Sequence, residues 1–160
     1  MAQEKTFIAV KPFAFKRGDT VDIVDLLSKK LEGAKCLAMK AYQPSQALAE
    51  EHYAEHKEKP FFKDLVDSFT SGPLLGMVWE GENIVAKARE VMGATNPADA
   101  AEGTIRNVFG KSLDDNAIHG SDTEPGSADR EVKLHFPEAN FAEITDIVAK
   151  AKELTEKQAV

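Results

Sequence analysis

The chain alternates short apolar runs with stretches of helical periodicity. Residues 5–11, KTFIAVK, form an apolar run closed by Pro12, which predicts a buried strand that delivers Lys11 at its end. In DTVDIVDLLSKKLEG, Val21, Val24, Leu27 and Leu31 recur at helical spacing, with acidic residues toward the start and Gly33 beyond the end. Residues 34–42 predict a second strand, and PSQALAEEHYAEHK a helix that starts near Ser45. After Pro60, Phe62, Leu65, Val66 and Phe69 make an inward stripe that leaves Phe61 off it. GPLLGMVWEG predicts a third strand, and ENIVAKAREVMG a helix with Ile84, Val85, Ala88, Val91 and Met92 on its buried face and Arg89 at the edge.

Between residues 94 and 115 the periodicity breaks down except in TIRNVF, a short helical turn, so a structured loop is expected, and long ordered loops carry function. NAIHGSD predicts a short strand that ends near His119, followed by a helix through Val132 and Phe136. A last amphipathic helix is expected over about residues 138–155, with Phe141, Ile144, Val148 and Ala151 on one side. Its apolar face must be buried somewhere, and docking on a neighbouring subunit is expected. The order β, α, β, two short helices, β, α, loop, β, α predicts one α+β unit over residues 1–160. The expected architecture is a ferredoxin-like split βαβ sandwich, a four-stranded antiparallel sheet with surrounding helices. In that arrangement Lys11, Arg89, Arg106 and His119 meet on one side.

Composition narrows the function. At 160 residues with 42% hydrophobic and 29% charged, the chain matches an ordinary soluble domain. Neither a secretory leader nor a run of about 20 apolar residues is visible, so a cytoplasmic protein with no membrane role is expected. A formal charge of -7 argues against nucleic acid as the primary ligand, because such binding rests on many phosphate-neutralising Lys and Arg. A small phosphorylated ligand remains compatible, since a few converging cations outweigh a distant, screened acidic surface. The single cysteine, Cys36, reads as a buried inert thiol.

The sharpest chemical signal is NAIHGSD followed by SADRE, which sets Asn116, His119 and Ser121 ahead of Glu131 on the next helix. Alone, His119 reads as a hydrogen-bonded strand-end histidine, Lys11 as a surface lysine and Phe61 as a packed ring. His52 and His56 have the spacing of a helical metal pair, but no third ligand is evident and a solvated helix face is expected. His135 reads as structural.

Together with KTFIAVKP, EHYAEHKEKPFF, SGPLLGMVWEG and MGATNPADAAEGTIR, these segments resemble the nucleoside diphosphate kinase family, in order and across most of the chain. The resemblance implies a ping-pong transfer of the γ-phosphoryl group of a nucleoside triphosphate to a nucleoside diphosphate, with His119 as the phosphorylated nucleophile. It assigns Glu131, bridged by Ser121, to orient the ring, and Tyr53 to sit near the transferred group. It also assigns Lys11, Arg89, Thr95 and Arg106 to the phosphates, with His56 as a secondary phosphate contact. By the same resemblance Asn116 and Lys11 are expected to hold the ribose, Phe61 to stack on the base and Leu113 to cover its other side. Mg²⁺ is expected on the nucleotide phosphates with no protein ligands, and the assembly to be a homo-oligomer: a hexamer, tetramer or dimer.

Besides the C-terminal helix, which differs from the family's usual ending, two departures stand against the family pattern. KPFAFKRG carries Phe13 and Ala14 where Asp-Gly is usual, and one extra residue falls at Pro125 and Gly126. They keep an alternative open, a nucleotide-binding scaffold or regulatory protein on the same fold with impaired catalysis.

Overall fold

The structure, a computed structural model, describes residues 3–141 and 145–158. Its strands are β1 (Gln3–Val10), β2 (Lys35–Tyr42), β3 (Leu74–Glu82) and β4 (Ile118–Gly120). The helices are α1 (Pro12–Arg17), α2 (Thr20–Lys30), α3 (Gln46–His52), α4 (Phe62–Phe69), α5 (Ile84–Met92), α6 (Ile105–Phe109), α7 (Ser127–His135) and α8 (Ile147–Gln158). The strands form one sheet in the order β2-β3-β1-β4, antiparallel at every pairing. This is the ferredoxin-like arrangement expected from the alternation of periods. Among the described residues no helix is long and apolar enough to cross a membrane.

β1 reads as an unbroken apolar run because both its faces are covered. Ile8 and Val10 face a layer that includes Ile23 and Leu27 of α2, Ile84, Ala88 and Met92 of α5, and Ile105 of α6. Phe7 and Ala9 face the opposite layer, with Ala49 of α3, Val66 and Phe69 of α4, and Val132 of α7. The period of two along β1 therefore feeds two cores. Cys36 is buried in the first, and burial pushes its thiol up to about 12, in keeping with an inert packing role.

Three elements differ from the sequence reading. The inward stripe of α2 is Ile23 and Leu27 rather than one that starts at Val21, which is 78% exposed. Position 23 shares the face of 27 and 31, whereas position 21 falls on the far side. Pro12 does not merely stop β1 but opens α1 at its first position, and Gly18 closes that helix at φ +89°. The last helix begins at Ile147 rather than near residue 138, with Asp146 Oδ1 accepting from Ala149 N (3.2 Å) and Cys36 N (3.3 Å). Ile144 lies outside the described residues. Val148 of α8 is half-buried against the chain's own first core and Lys152 Nζ donates to Ser28 Oγ at 2.8 Å, while Ala151 of the expected apolar face stays exposed.

The second core holds two buried histidines. His52, at the end of α3, stacks on Phe69 (4.6 Å between centroids, 15°), and His135, at the end of α7, stacks on Phe7 (4.0 Å, 7°). His52 is thus not on a solvated face, contrary to expectation; it is 2% exposed because its neighbours at helical spacing, Ala49 and Tyr53, also point inward. Burial lowers His135 to about 3, helped by the nearby His119, and holds His52 well below its ordinary range for the same two reasons.

Two predictions follow from this packing. Gly93 ends α5 at φ +87°, and a Cβ there would run into the Oγ1 and Cβ of Thr104, so Gly93→Ala is expected to cost about 2 kcal/mol or more and lower Tm by roughly 4–8 °C in a thermal melt. The folded values of His52 and His135 lie below the unfolded value of 6.5, so the unfolded chain binds protons first as pH falls. Stability is therefore lost from about pH 6.5 downward, by up to about 1.4 kcal/mol per group per pH unit; urea unfolding between about pH 7 and 5 should show the decline, and a flat profile would contradict it.

Candidate active site

β4 supplies His119 through three residues paired with β1, His119 opposite Ala9. The approach is sharply bent: Ala117 adopts φ +74° and Ile118 N–H donates to the Asn116 carbonyl at 2.9 Å, a γ-turn with an L-residue at its strained centre. Lys11 N–H donates to Ala117 O (2.9 Å), so the end of β1 anchors the bend.

Beneath the ring sits a buried carboxylate. Glu131, 4% exposed, accepts from Ser121 Oγ at 2.7 Å and lies 2.9 Å from His119 Nε2, both at Oε1. Ser121 Oγ in turn accepts from Phe7 N at 3.2 Å. Burial by itself would raise the Glu131 carboxyl, but the charge and hydrogen bond of His119, with help from His52 and Ser121, bring it down to about 2. A carboxylate only accepts, so His119 carries a hydrogen on Nε2, and in the neutral ring Nδ1 keeps the lone pair.

Around this pair converge three cations that form no ion pair among the described residues. Lys11 Nζ donates to Asn116 Oδ1 (2.8 Å), and Asn116 Nδ2 to Thr95 O (3.0 Å). Arg106, 5% exposed, is held by the carbonyls of Gly93 (3.0 Å) and Ile118 (2.8 Å), and Arg89 by that of Gly120 (3.2 Å). Burial and the charge of Arg106 lower Lys11 to about 8; burial and Arg89 lower Arg106 to about 10. Such mutual repulsion in a water-poor cleft is relieved by an anion.

A cavity of about 530 Å³ opens over these groups. Lys11, Tyr53, His56, Phe61, Arg89, Thr95, Arg106, Leu113, Asn116, His119 and Glu131 all line it, so every nominated residue except Ser121 faces the same space. Ser121 lies below, 1% exposed. Phe61 and Leu113 are 45% and 55% exposed, two apolar surfaces at the polar cleft. His52, Glu55, Leu65, Asp114 and Asp122 line it too, and the sequence reading gives none of them a role at the site. His52, His119 and Glu131 bring ligand atoms within 4.8 Å of one another, but the His119–Glu131 hydrogen bond already occupies two of these groups.

Both sequence departures leave this geometry intact. The KPFA segment folds as α1 without breaking the Lys11–Asn116 bond. The extra residue is absorbed on the surface, where Gly126 takes φ +84° ahead of α7 and a Cβ would meet nothing within 4 Å.

A sequence profile of the nucleoside diphosphate kinase family matches residues 4–141. The nucleoside diphosphate kinase of Natronomonas pharaonis is 53% identical over 133 residues, spanning 83% of this chain and 86% of its own. That of Halalkalibacterium halodurans is 49% identical over 148 residues, 91% of this chain and 97% of its own. The solved structure of a halophilic nucleoside diphosphate kinase from Halobacterium salinarum in complex with CDP superposes with a TM-score of 0.84 at 43% identity, covering 94% of this chain and 98% of that one. The Aquifex aeolicus enzyme gives 0.81 at 37% identity, covering 90% and 100%. Shared sheet, shared motif order and identity of this extent over nearly whole chains make this protein a phosphotransferase of the nucleoside diphosphate kinase family.

Proposed function

We propose that the protein carries the γ-phosphoryl group of a nucleoside triphosphate to a nucleoside diphosphate by way of a phosphohistidine at His119 Nδ1. The observation that carries this reading is the His119 Nε2–Glu131–Ser121 arrangement, which leaves Nδ1 as the nucleophilic nitrogen beside three unpaired cations. The Nδ1 lone pair attacks the γ-phosphorus, the bond to the bridging oxygen breaks, and its electron pair leaves with the nucleoside diphosphate. A second nucleoside diphosphate then attacks the phosphohistidine through a terminal β-phosphate oxygen, and the phosphorus–nitrogen electrons return to the ring.

Transfer of this kind passes through a loose transition state, so positioning and charge stabilisation dominate. Arg89, Arg106, Lys11 and Thr95 receive the phosphates, with His56 a secondary contact, and Tyr53 lies beside the transferred group. Burial pushes the Tyr53 hydroxyl upward, which keeps it a donor. Asn116 and Lys11 take the ribose hydroxyls. Phe61 stacks on the base with Leu113 opposite, and since every base has a π-face this favours broad nucleobase tolerance. The CDP in the Halobacterium salinarum complex supports a nucleoside diphosphate as ligand.

Glu55, Asp114 and Asp122 line the cleft beside its cations, but none of them belongs to a three-ligand cluster among the described residues, which supports Mg²⁺ arriving on the nucleotide phosphates with no dedicated protein ligand. When bound, the ion neutralises phosphate charge; the chain's own residues bind, orient and supply the nucleophile. On the same reading the protein works in the cytoplasm as a homo-oligomer. The scaffold alternative loses its basis, because neither departure disturbs the site.

Incubation with γ-labelled ATP and Mg²⁺ should give acid-labile, alkali-stable label that passes to added nucleoside diphosphate. His119→Gln should reduce labelling by roughly a thousandfold or more while nucleotide binding persists, and chelation of divalent cations should stop turnover. Nucleotide binding without label on the unaltered chain would restore the scaffold reading.

A further inference from the structure

Behind His119 runs a line of side chains that the transfer scheme leaves unused. Tyr42 Oη, on β2, lies 2.6 Å from His135 Nδ1, and His135 Nε2 lies 2.9 Å from His52 Nδ1. The His52 ring meets the His119 ring edge to face, with centroids 4.5 Å apart at 70°. The chain thus crosses from the sheet, through the ends of α7 and α3, to the back of the reacting imidazole. Its last atom, His52 Nε2, is buried without a hydrogen-bond partner.

Hydrogen-bond chemistry fixes the direction of this chain. A phenol is a better donor than a neutral imidazole N–H, and an imidazole nitrogen a better acceptor than a phenol oxygen, so Tyr42 donates to His135 Nδ1. Burial pushes the Tyr42 hydroxyl upward and so keeps it protonated. With Nδ1 accepting, His135 must carry its hydrogen on Nε2 and donate to His52 Nδ1. His52 is left as the Nε2–H tautomer. Both rings are neutral in this packing, since they lie against Phe7 and Phe69 and near His119, Lys40 and Arg130, with Glu131 the one opposing charge.

We propose that Tyr42 and His135 are positioning residues for phosphoryl transfer: through two hydrogen bonds they hold His52 in a single tautomer, as the wall that fixes the His119 ring. The proposal rests on His119 being the phosphorylated residue. Glu131 grips His119 at one nitrogen, which leaves the ring free to swing about that contact, and the edge of His52 closes the swing. A fixed tautomer also gives the wall a constant electrostatic face. One His52 nitrogen lies within 4.8 Å of the ligand atoms of both His119 and Glu131, so a hydrogen moving between ring nitrogens would alter the field at the nucleophile.

Tyr42→Phe removes the hydroxyl and keeps the ring. Long-range ¹H–¹⁵N correlation spectra of the unaltered protein should show His52 and His135 only as Nε2–H tautomers, and the variant should show a second tautomer in both. The single-turnover rate of His119 phosphorylation by ATP should fall roughly 3- to 10-fold with nucleotide KM unchanged. His135→Phe should have a similar effect, and the double variant should lose no more than His135→Phe alone, as expected of residues that act through one path. Mixed tautomers in the unaltered protein, an unchanged rate in Tyr42→Phe, or a loss confined to KM would overturn the proposal while label uptake continued. Absence of label on the unaltered protein would overturn the phosphotransfer reading and this proposal together.

Discussion

A single buried carboxylate oxygen organises the reactive end of the molecule. Glu131 Oε1 is shared between the Ser121 hydroxyl and the His119 ring, and a charge so placed is tolerable only because both contacts are made. Three elements must dock to create it: α7 brings the carboxylate, β4 brings the imidazole, and β1 fixes Ser121 through the Phe7 amide. Removing either contact would leave a charge with nowhere to go. The fold is thereby tied to the chemistry, since the bond that orients the nucleophile also satisfies a buried ion.

The opposite sign is treated in the opposite way. Lys11, Arg89 and Arg106 are buried or half-buried with carbonyl and amide partners but no carboxylate at ion-pair distance among the described residues, Asp114 and Asp115 acting on Lys11 only from farther off. Neutral dipoles hold these cations in place without cancelling their charge. A chain of net charge -7 therefore maintains a positive cleft, because low-dielectric walls let three near charges dominate many distant, screened ones.

Much of this was legible in the sequence where local periodicity and tertiary packing agree. β1 announced its two-sided burial as an apolar run, and Phe61 announced its exposure by falling off the α4 stripe. Legibility failed where a polar letter hides a packed ring. His52 was read as solvated because histidine counts as polar in a periodic pattern, although Ala49 and Tyr53 mark its side of α3 as inward. Its partner His135 is 83 positions away, a pairing that no local pattern records. Val21 misled for the converse reason: an apolar residue near a helix start need not share the stripe of Ile23 and Leu27. The apolar periodicity does not mark the start of α8 at Ile147; Asp146, whose Oδ1 accepts from Ala149 N, does.

β4 has only three residues, and its approach passes through a left-handed alanine, so the local hydrogen bond from Ile118 N–H to the Asn116 carbonyl needs support from elsewhere. It is held by a strand more than a hundred positions earlier and by an arginine from the preceding helix. Contacts of such sequence separation close late, after the loop entropy of the intervening chain has been overcome. Parting β4 from β1 would therefore undo the bend at Ala117 and the placement of the imidazole in one step.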